Sequence, residues 1–320
     1  MAQNDLTMRP ITGREELDLF SRLTYVVDDE LADDLAVGHR RPEWMWVALR
    51  GNRLLARVAW WGQDGDDTPH ILDVLDLDDS LDDSVDVAVR LLRTAMAEVL
   101  PAGTRPPRYS RIVPADWREG RSSRRVVEDR MGVLERTGAR LLVERLRLEW
   151  RPGTPIPEPR GRLVFRPIRD TEEILALMTR VLDGTLDAHS REDLTRMSAR
   201  EAAVRHFEEE LAHYRSPRDW WRIATLPDGE PVGFVTPARN DYNPIIGYIA
   251  VLPEHRGNGY IDEILVEGTR VLAAQDVPRI RAATDMGNIP MANAFQRVGV
   301  RQLRAHDRHD LAVTPRPLVE

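Results

Sequence analysis

"YIAVLPEHRGNGYIDEIL", Tyr248 to Leu265, decides the reading of this chain. An apolar stretch predicts a strand that stops at Pro253. A charged loop with two glycines follows, and then an apolar periodicity that predicts a helix over 260–274. A helix N-terminus presents unpaired N–H donors and the positive end of a dipole. Glycine there tolerates positive φ and lets the backbone approach an anion. Arg256, Gly257, Asn258 and Gly259 therefore read as a phosphate cradle. The pattern is neither a P-loop nor a dinucleotide fingerprint. No Gly-Lys-Ser/Thr is present, and the glycine spacing does not fit GxGxxG.

Working outward, strands are predicted at 163–168, 220–226, 231–236, 244–251, 279–284, 300–305 and 308–313. Helices are predicted at 171–183, 191–214, 260–274 and 290–298. Hairpins among helices point to an α/β (α+β) fold with a mixed, mostly antiparallel sheet flanked by helices.

The first half repeats this plan. "MRPITGREELDLFSRL" from Met8 parallels "FRPIRDTEEILALMTRVL" from Phe165. "WVALRGNRLLARVAWW" from Trp46 parallels "WRIATLPDGEPVGFVTP" from Trp221, each a hairpin with a polar turn at Gly51-Asn52 or Asp228-Gly229. "LERTGARLLVERLRLEW" from Leu134 parallels "FQRVGVRQLRAHDRHDL" from Phe295, with Gly138 and Gly299 ending a helix. Arg9 and Arg166 lie 157 residues apart, Gly138 and Gly299 161. Three blocks in one order at nearly constant offset predict a duplicated domain. The proline-rich "RPGTPIPEPRG", Arg151–Gly161, is the expected seam, giving domains 1–155 and 162–320.

The loop and "NIPMANAFQRVGV" from Asn288 together resemble the GNAT superfamily of acyl-CoA-dependent N-acyltransferases. The resemblance is motif-level over 244–305, topological over 162–313, and reaches the first half through the repeat. The tandem plan and the wording of Thr284–Met291 look most like actinobacterial two-domain proteins of the mycothiol-synthase-like group. The resemblance implies acetyl-CoA, or another acyl-CoA, as cosubstrate. Ile249, Ala250 and Val251 would pair with the pantetheine arm. Arg256, Gly257, Asn258, Gly259, Tyr260 and Ile261 would hold the pyrophosphate, and Asn288 and Phe295 would contact the cofactor. Ile261 stands where the family loop ends in Gly or Ala. Phe295 stands where many members carry a tyrosine as the acid for the leaving thiolate, and phenylalanine cannot give a proton.

In the first half the matching stretch has no arginine between Arg57 and Arg90 and ten aspartates from Asp64 to Asp86. That predicts a degenerate copy that repels a diphosphate. The aspartates read as a solvated acidic face, with a funnel for a cationic amine or a metal site as alternatives. EF-hand spacing is absent, and no metal is expected.

Amide formation needs a base. The sequence offers Asp285, Tyr248 and Asp241 as catalytic candidates, with Asp187 and His189 entering from the acceptor side and Glu254 and His255 beside the loop. Tyr248 is protonated at neutral pH and a poor base. The Trp220-Trp221 pair reads as packing rather than a ligand cage.

Composition narrows the class. There is no cysteine, so thiolate chemistry and disulfides are excluded, and all 45 basic residues are arginine. A net charge of −8 argues against nucleic acid as a partner. No apolar run nears a membrane span and the start does not read as a signal peptide, so a cytoplasmic location is expected. The expected partner is a small-molecule amine, possibly cationic, acetylated by a monomer or homodimer. A non-catalytic acyl-CoA-sensing or ligand-binding module is the alternative.

Overall fold

The computed structural model describes residues 6–104, 106–302 and 308–315. They form two compact units, Met1–Glu144 with His309–Glu320, and Arg145–Arg308. The division thus lies earlier than the proline-rich seam. The reason is a single long strand, Ala139–Trp150, whose second half, from Arg145, pairs with Ile280–Asp285 of the second unit. No helix among the described residues is long and apolar enough to cross a membrane.

The first unit holds β1 (Leu6–Pro10), β2 (Met45–Arg50), β3 (Arg53–Trp61), β4 (Ile71–Leu77), β5 (Arg108–Pro114) and the start of β6 (Ala139–Trp150). Its helices are α1 (Leu17–Phe20), α2 (Leu31–Val37), α3 (Ser84–Val99) and α4 (Arg121–Arg136). β1 to β4 pair antiparallel, and β4 and β5 are parallel. Side chains alternate along β2 as strand geometry requires. Met45, Val47 and Leu49 join Phe20 and Leu31 in one core; Trp46 and Ala48 join Leu91 and Leu92 of α3 in another.

The second unit repeats the plan with β7 (Val164–Pro167), β8 (Arg222–Thr225), β9 (Pro231–Arg239), β10 (Pro244–Val251), β11 (Ile280–Asp285) and β12 (Arg301–Gln302). Its helices are α5 (Thr171–Val181), α6 (Ala188–Asp193), α7 (Ala199–Glu209), α8 (Tyr260–Ala273) and α9 (Ile289–Arg297). β13 (Arg308–Pro315) lies beside β5 and β6 in the first unit. Of the strand predicted at 300–305, residues 303–305 lie outside the described residues. The helix predicted over 191–214 is two, because Ser198 and Glu201 form a capping box that starts α7.

The duplication reaches individual hydrogen bonds. Arg9 Nη1 donates to Pro10 O at 2.9 Å and Glu16 Oε2 at 2.7 Å. Arg166 Nη1 donates to Pro167 O and Glu173 Oε2, both at 3.0 Å. Thr12 N donates to Glu16 and Arg169 N to Glu173, each at 2.8 Å.

Candidate active site in the second unit

β10 and β11 run parallel but share one register pair, Ile245 with Arg281, and then part. On its other side β10 pairs with β9, with Gly247 as an extra residue between Ile246 and Tyr248. A β-carbon at Gly247 would meet the Tyr214 hydroxyl at 2.5 Å, so a larger residue in this bulge would have to displace that ring. Leu252 N donates to Val232 O at 2.8 Å, which fixes the alternation along the strand. Ala250 turns its polar groups to β9, and Ile249 and Val251 turn theirs toward the opening. An extended amide ligand can pair with such an edge.

The opening leads to the glycine loop. Gly257 and Gly259 have φ of 84° and 70°, and a β-carbon at either would meet no protein atom within 4 Å. Gly259 is the N-cap of α8, and no side chain caps that end. Unpaired first-turn N–H groups with open space before them fit an anion. Asp262 and Glu263 in that turn are neutralised, by Arg297 at 2.7 Å and Arg162 at 2.6 Å. Arg162 also donates to Asn258 O at 2.8 Å and Gly259 O at 3.1 Å, and it lies over the Tyr260 ring.

Arg256 departs from the sequence expectation. Its guanidinium donates to Val181 O at 2.8 Å, Asp183 O at 2.6 Å and Gly184 O at 3.3 Å, and its Nε to Val251 O at 3.3 Å. The carbonyl end of α5 attracts a cation, so Arg256 braces the loop against that helix. Asn288 caps α9 through Met291 N at 3.3 Å. Ile261 packs half-buried against the core, and Phe295 is 1% exposed within it. The Phe295 ring is thus a core side chain, where its sequence position had suggested a cleft residue. Trp221 is core too, edge-on to Phe207 and Tyr214.

In the first unit both of the equivalent carbonyls are taken by arginines. β4 and β5 share Ile71–Arg108 and Leu72–Tyr109, and Asp73 takes the bulge position. Leu75 and Leu77 therefore correspond to Ile249 and Val251. Arg111 donates to Leu75 O at 3.1 Å, and Arg130 to Leu77 O at 3.4 Å. Both arginines bond to or pair with Asp76, as does Arg57. The aspartates are accordingly not a bare acidic face. Asp76 is 2% exposed, and its carboxyl is held low because three guanidinium groups outweigh the cost of burial. Asp73 pairs with Arg40, Asp78 with Arg53, Asp79 with Arg130, Asp83 with Arg50 and Asp86 with Arg136.

Among the base candidates the structure gathers some and separates others. Asp285 ends β11, four residues beyond the shared pair, roughly level with Ile249 on β10. Its Oδ2 accepts from Ala188 N at 2.7 Å and its Oδ1 pairs with Arg145 Nε at 3.1 Å. Asp187 caps α6 through Ser190 N at 2.7 Å. Ligand atoms of Asp187, His189 and Asp285 lie within 4.8 Å of one another. That spacing would suit a cation, but Arg145 already supplies the positive charge. Burial, together with the Asp187 charge, pushes the Asp285 carboxyl up. Asp187 is held low, because Arg145, His189 and the Ser190 N–H outweigh burial. Tyr248 packs edge-on against Phe234 and His206, and burial and the Asp187 charge raise its phenol, so it stays protonated. Asp241 sits apart, paired with Arg215 at 2.6 Å in the β9–β10 turn. Glu254 is held by Arg180, and His255 lies 3.2 Å from Glu230. A cleft of about 560 Å³ adjoins the loop between Leu182, Gly184, Leu194 and Pro253. The sequence signal for the Asp187–His189–Asp285 convergence was faint, since its members are nearly 100 residues apart.

Residues 162–301 match the family model described as Acetyltransferase (GNAT) domain. No curated protein matches the chain in sequence. Among solved structures, a GCN5-related N-acetyltransferase from Sphaerobacter thermophilus superposes with a TM-score of 0.60 at 14% identity, over 100% of this chain and 99% of that one. A tandem GNAT protein from the clavulanic acid biosynthesis pathway gives 0.53 at 14%, over 99% and 100%. A fungal glucosamine N-acetyltransferase region within a multi-domain β-N-acetylglucosaminidase gives 0.57 at 13%, over 98% of this chain and 38% of that one. At these identities the likeness is one of fold. The family match bears on residues 162–301, and a domain of that family implies acyl transfer from an acyl-CoA.

Proposed function

We propose that the second unit transfers an acetyl group from acetyl-CoA directly to a primary amine of a small molecule, in the cytoplasm, and that the first unit is a degenerate copy that binds no coenzyme. The observation that carries this reading is the opening between β10 and β11, where the backbone of Ile249 faces the gap and leads to an uncapped helix mouth with two positive-φ glycines. Ile249 and Val251 would pair with the pantetheine arm. The N–H groups of Gly257 to Ile261 would hold the diphosphate, and Arg256 and Arg162 would hold the loop in shape. The first unit lacks the same fit, because Arg111 occupies the carbonyl of Leu75, the equivalent of Ile249, while the next carbonyl along, Leu77 or Val251, meets an arginine in both units. Donor and acceptor would meet near Asp285, at the end of the strand that borders the opening.

The test is a panel of primary amines with acetyl-CoA and a thiol-release readout. Turnover of any amine well above background hydrolysis supports transfer. Coenzyme A binding without turnover across the panel would leave a sensing module.

A further inference from the structure

We propose that His189 is the general base of the transfer, with Asp285 and Asp187 positioning its ring and Arg145 fixing Asp285 from behind. This rests on the acyl-transfer reading above. Burial and bonding rank the three groups. Asp285 is 3% exposed; its Oδ2 accepts from Ala188 N, and its Oδ1 is ion-paired with Arg145 without a hydrogen bond. It cannot reach an acceptor. Asp187 already caps α6. His189 is half-buried, with a ring nitrogen within 4.8 Å of both carboxylates; Asp187 is half-buried too, but its Oδ1 is committed to Ser190 N and its carboxyl is held low, which leaves His189 as the better base. A base that touches the proton, held by a group that does not, is the arrangement proton transfer needs.

The place is right for the chemistry. Asp285 ends the strand that borders the opening, roughly level with Ile249. The charged and titratable groups around the cluster are Asp187 and Arg191 from α6, Asp285 from β11, Arg145 from β6 and Tyr248 from β10. The acceptor ammonium gives one proton to His189. Its nitrogen then attacks the thioester carbonyl carbon, the N–C bond forms and the C–S bond breaks. Sulfur leaves as thiolate and takes the second proton from nitrogen. His189 returns its proton to solvent.

The experiment uses the full chain, with His189→Gln, His189→Asn and Asp285→Asn. It measures kcat and KM against pH on an amine found by the panel, coenzyme A affinity by calorimetry, and the His189 ring titration by NMR. Both His189 variants should lose about 100-fold or more in kcat, keep coenzyme A affinity within about threefold, and lose the acidic limb of the kcat profile. Asp285→Asn should move the His189 titration to lower pH. Retained kcat in the His189 variants overturns the assignment and leaves acyl transfer standing. Loss of coenzyme A affinity in step with kcat assigns His189 a structural role and also overturns it. An unmoved His189 titration in Asp285→Asn refutes the positioning role. A wild type that turns over no amine removes both readings together.

Discussion

Replacing Gly259 by alanine and by aspartate separates what the glycine does for the fold from what it does for a ligand. Gly259 has φ 70° and ψ 19°, and a β-carbon there would meet no protein atom within 4 Å. Alanine therefore clashes with nothing and bears only the left-handed strain, about 1–2 kcal/mol. Aspartate adopts that region more readily and is a good N-cap, so it should be at least as stable as alanine. Binding should rank the other way. A carboxylate ~6 Å from one phosphate charge, at an effective dielectric near 20, costs roughly 3 kcal/mol. That is about 100-fold in affinity. Calorimetry with coenzyme A at two salt concentrations reads the gap, which should narrow as salt rises. If the aspartate variant binds within about threefold of the alanine variant, no diphosphate sits at this helix mouth and the loop assignment fails.

Other substitutions follow from the same geometry. Phe295→Tyr puts a hydroxyl into a core site that is 1% exposed, so stability should fall by about 1–3 kcal/mol in thermal unfolding; an unchanged melting temperature would show that the ring has a polar neighbour after all. Ala250→Asp with Thr284→Arg rebuilds in the second unit the pair that Asp76 and Arg111 make in the first, and should abolish coenzyme A binding while Thr284→Ser does not. Calorimetry should give one coenzyme A per chain, and two equivalent sites would refute the block at Leu75. Glu173 is held down to about 2 from 4.5, chiefly by its Arg166 hydrogen bond, so its stabilisation is complete above pH 4.5 and is lost as pH falls through about 2. Glu173→Gln should cost about 1–2 kcal/mol at pH 7, after a discount for solvent screening of the exposed Arg169, and much less at pH 2; an equal loss at both pH values would mean the residue acts through packing.

Local patterns were legible and side-chain partners were not. β10 spans 244–251 as read, since a proline opens it and another follows shortly after it, with apolar residues filling the interval. The glycines at 138 and 299 end helices at φ 93° and 82°, as their positions after a periodic run predict. The break inside 191–214 had its signal too, Ser198-x-x-Glu201, which apolar periodicity alone overrides. Arg256 read as an anion ligand because its neighbours are loop residues. Its real partners are carbonyls 72 to 75 residues earlier and one at Val251.

The aspartates of the first unit make the same point in charge. A run without arginine between Arg57 and Arg90 looks uncompensated along the chain. Folding brings Arg40, Arg53 and Arg57 from one side of the sequence and Arg111, Arg130 and Arg136 from the other, and each meets an aspartate. The divergence of the two copies then reduces to few positions. Counting from the shared strand pairs, Asp76 stands where the second unit has Ala250, and Arg111 where it has Thr284. Counting from the helix-ending glycines, Arg130 stands where it has Met291. A buried arginine needs its carboxylate and a buried carboxylate needs its arginine, so these changes are stable only together. Once made, they put guanidinium donors on the carbonyls of Leu75 and Leu77. The fold survives such a change because β-strand splay and bulge are backbone features, indifferent to whether a ligand or an arginine satisfies the exposed carbonyls.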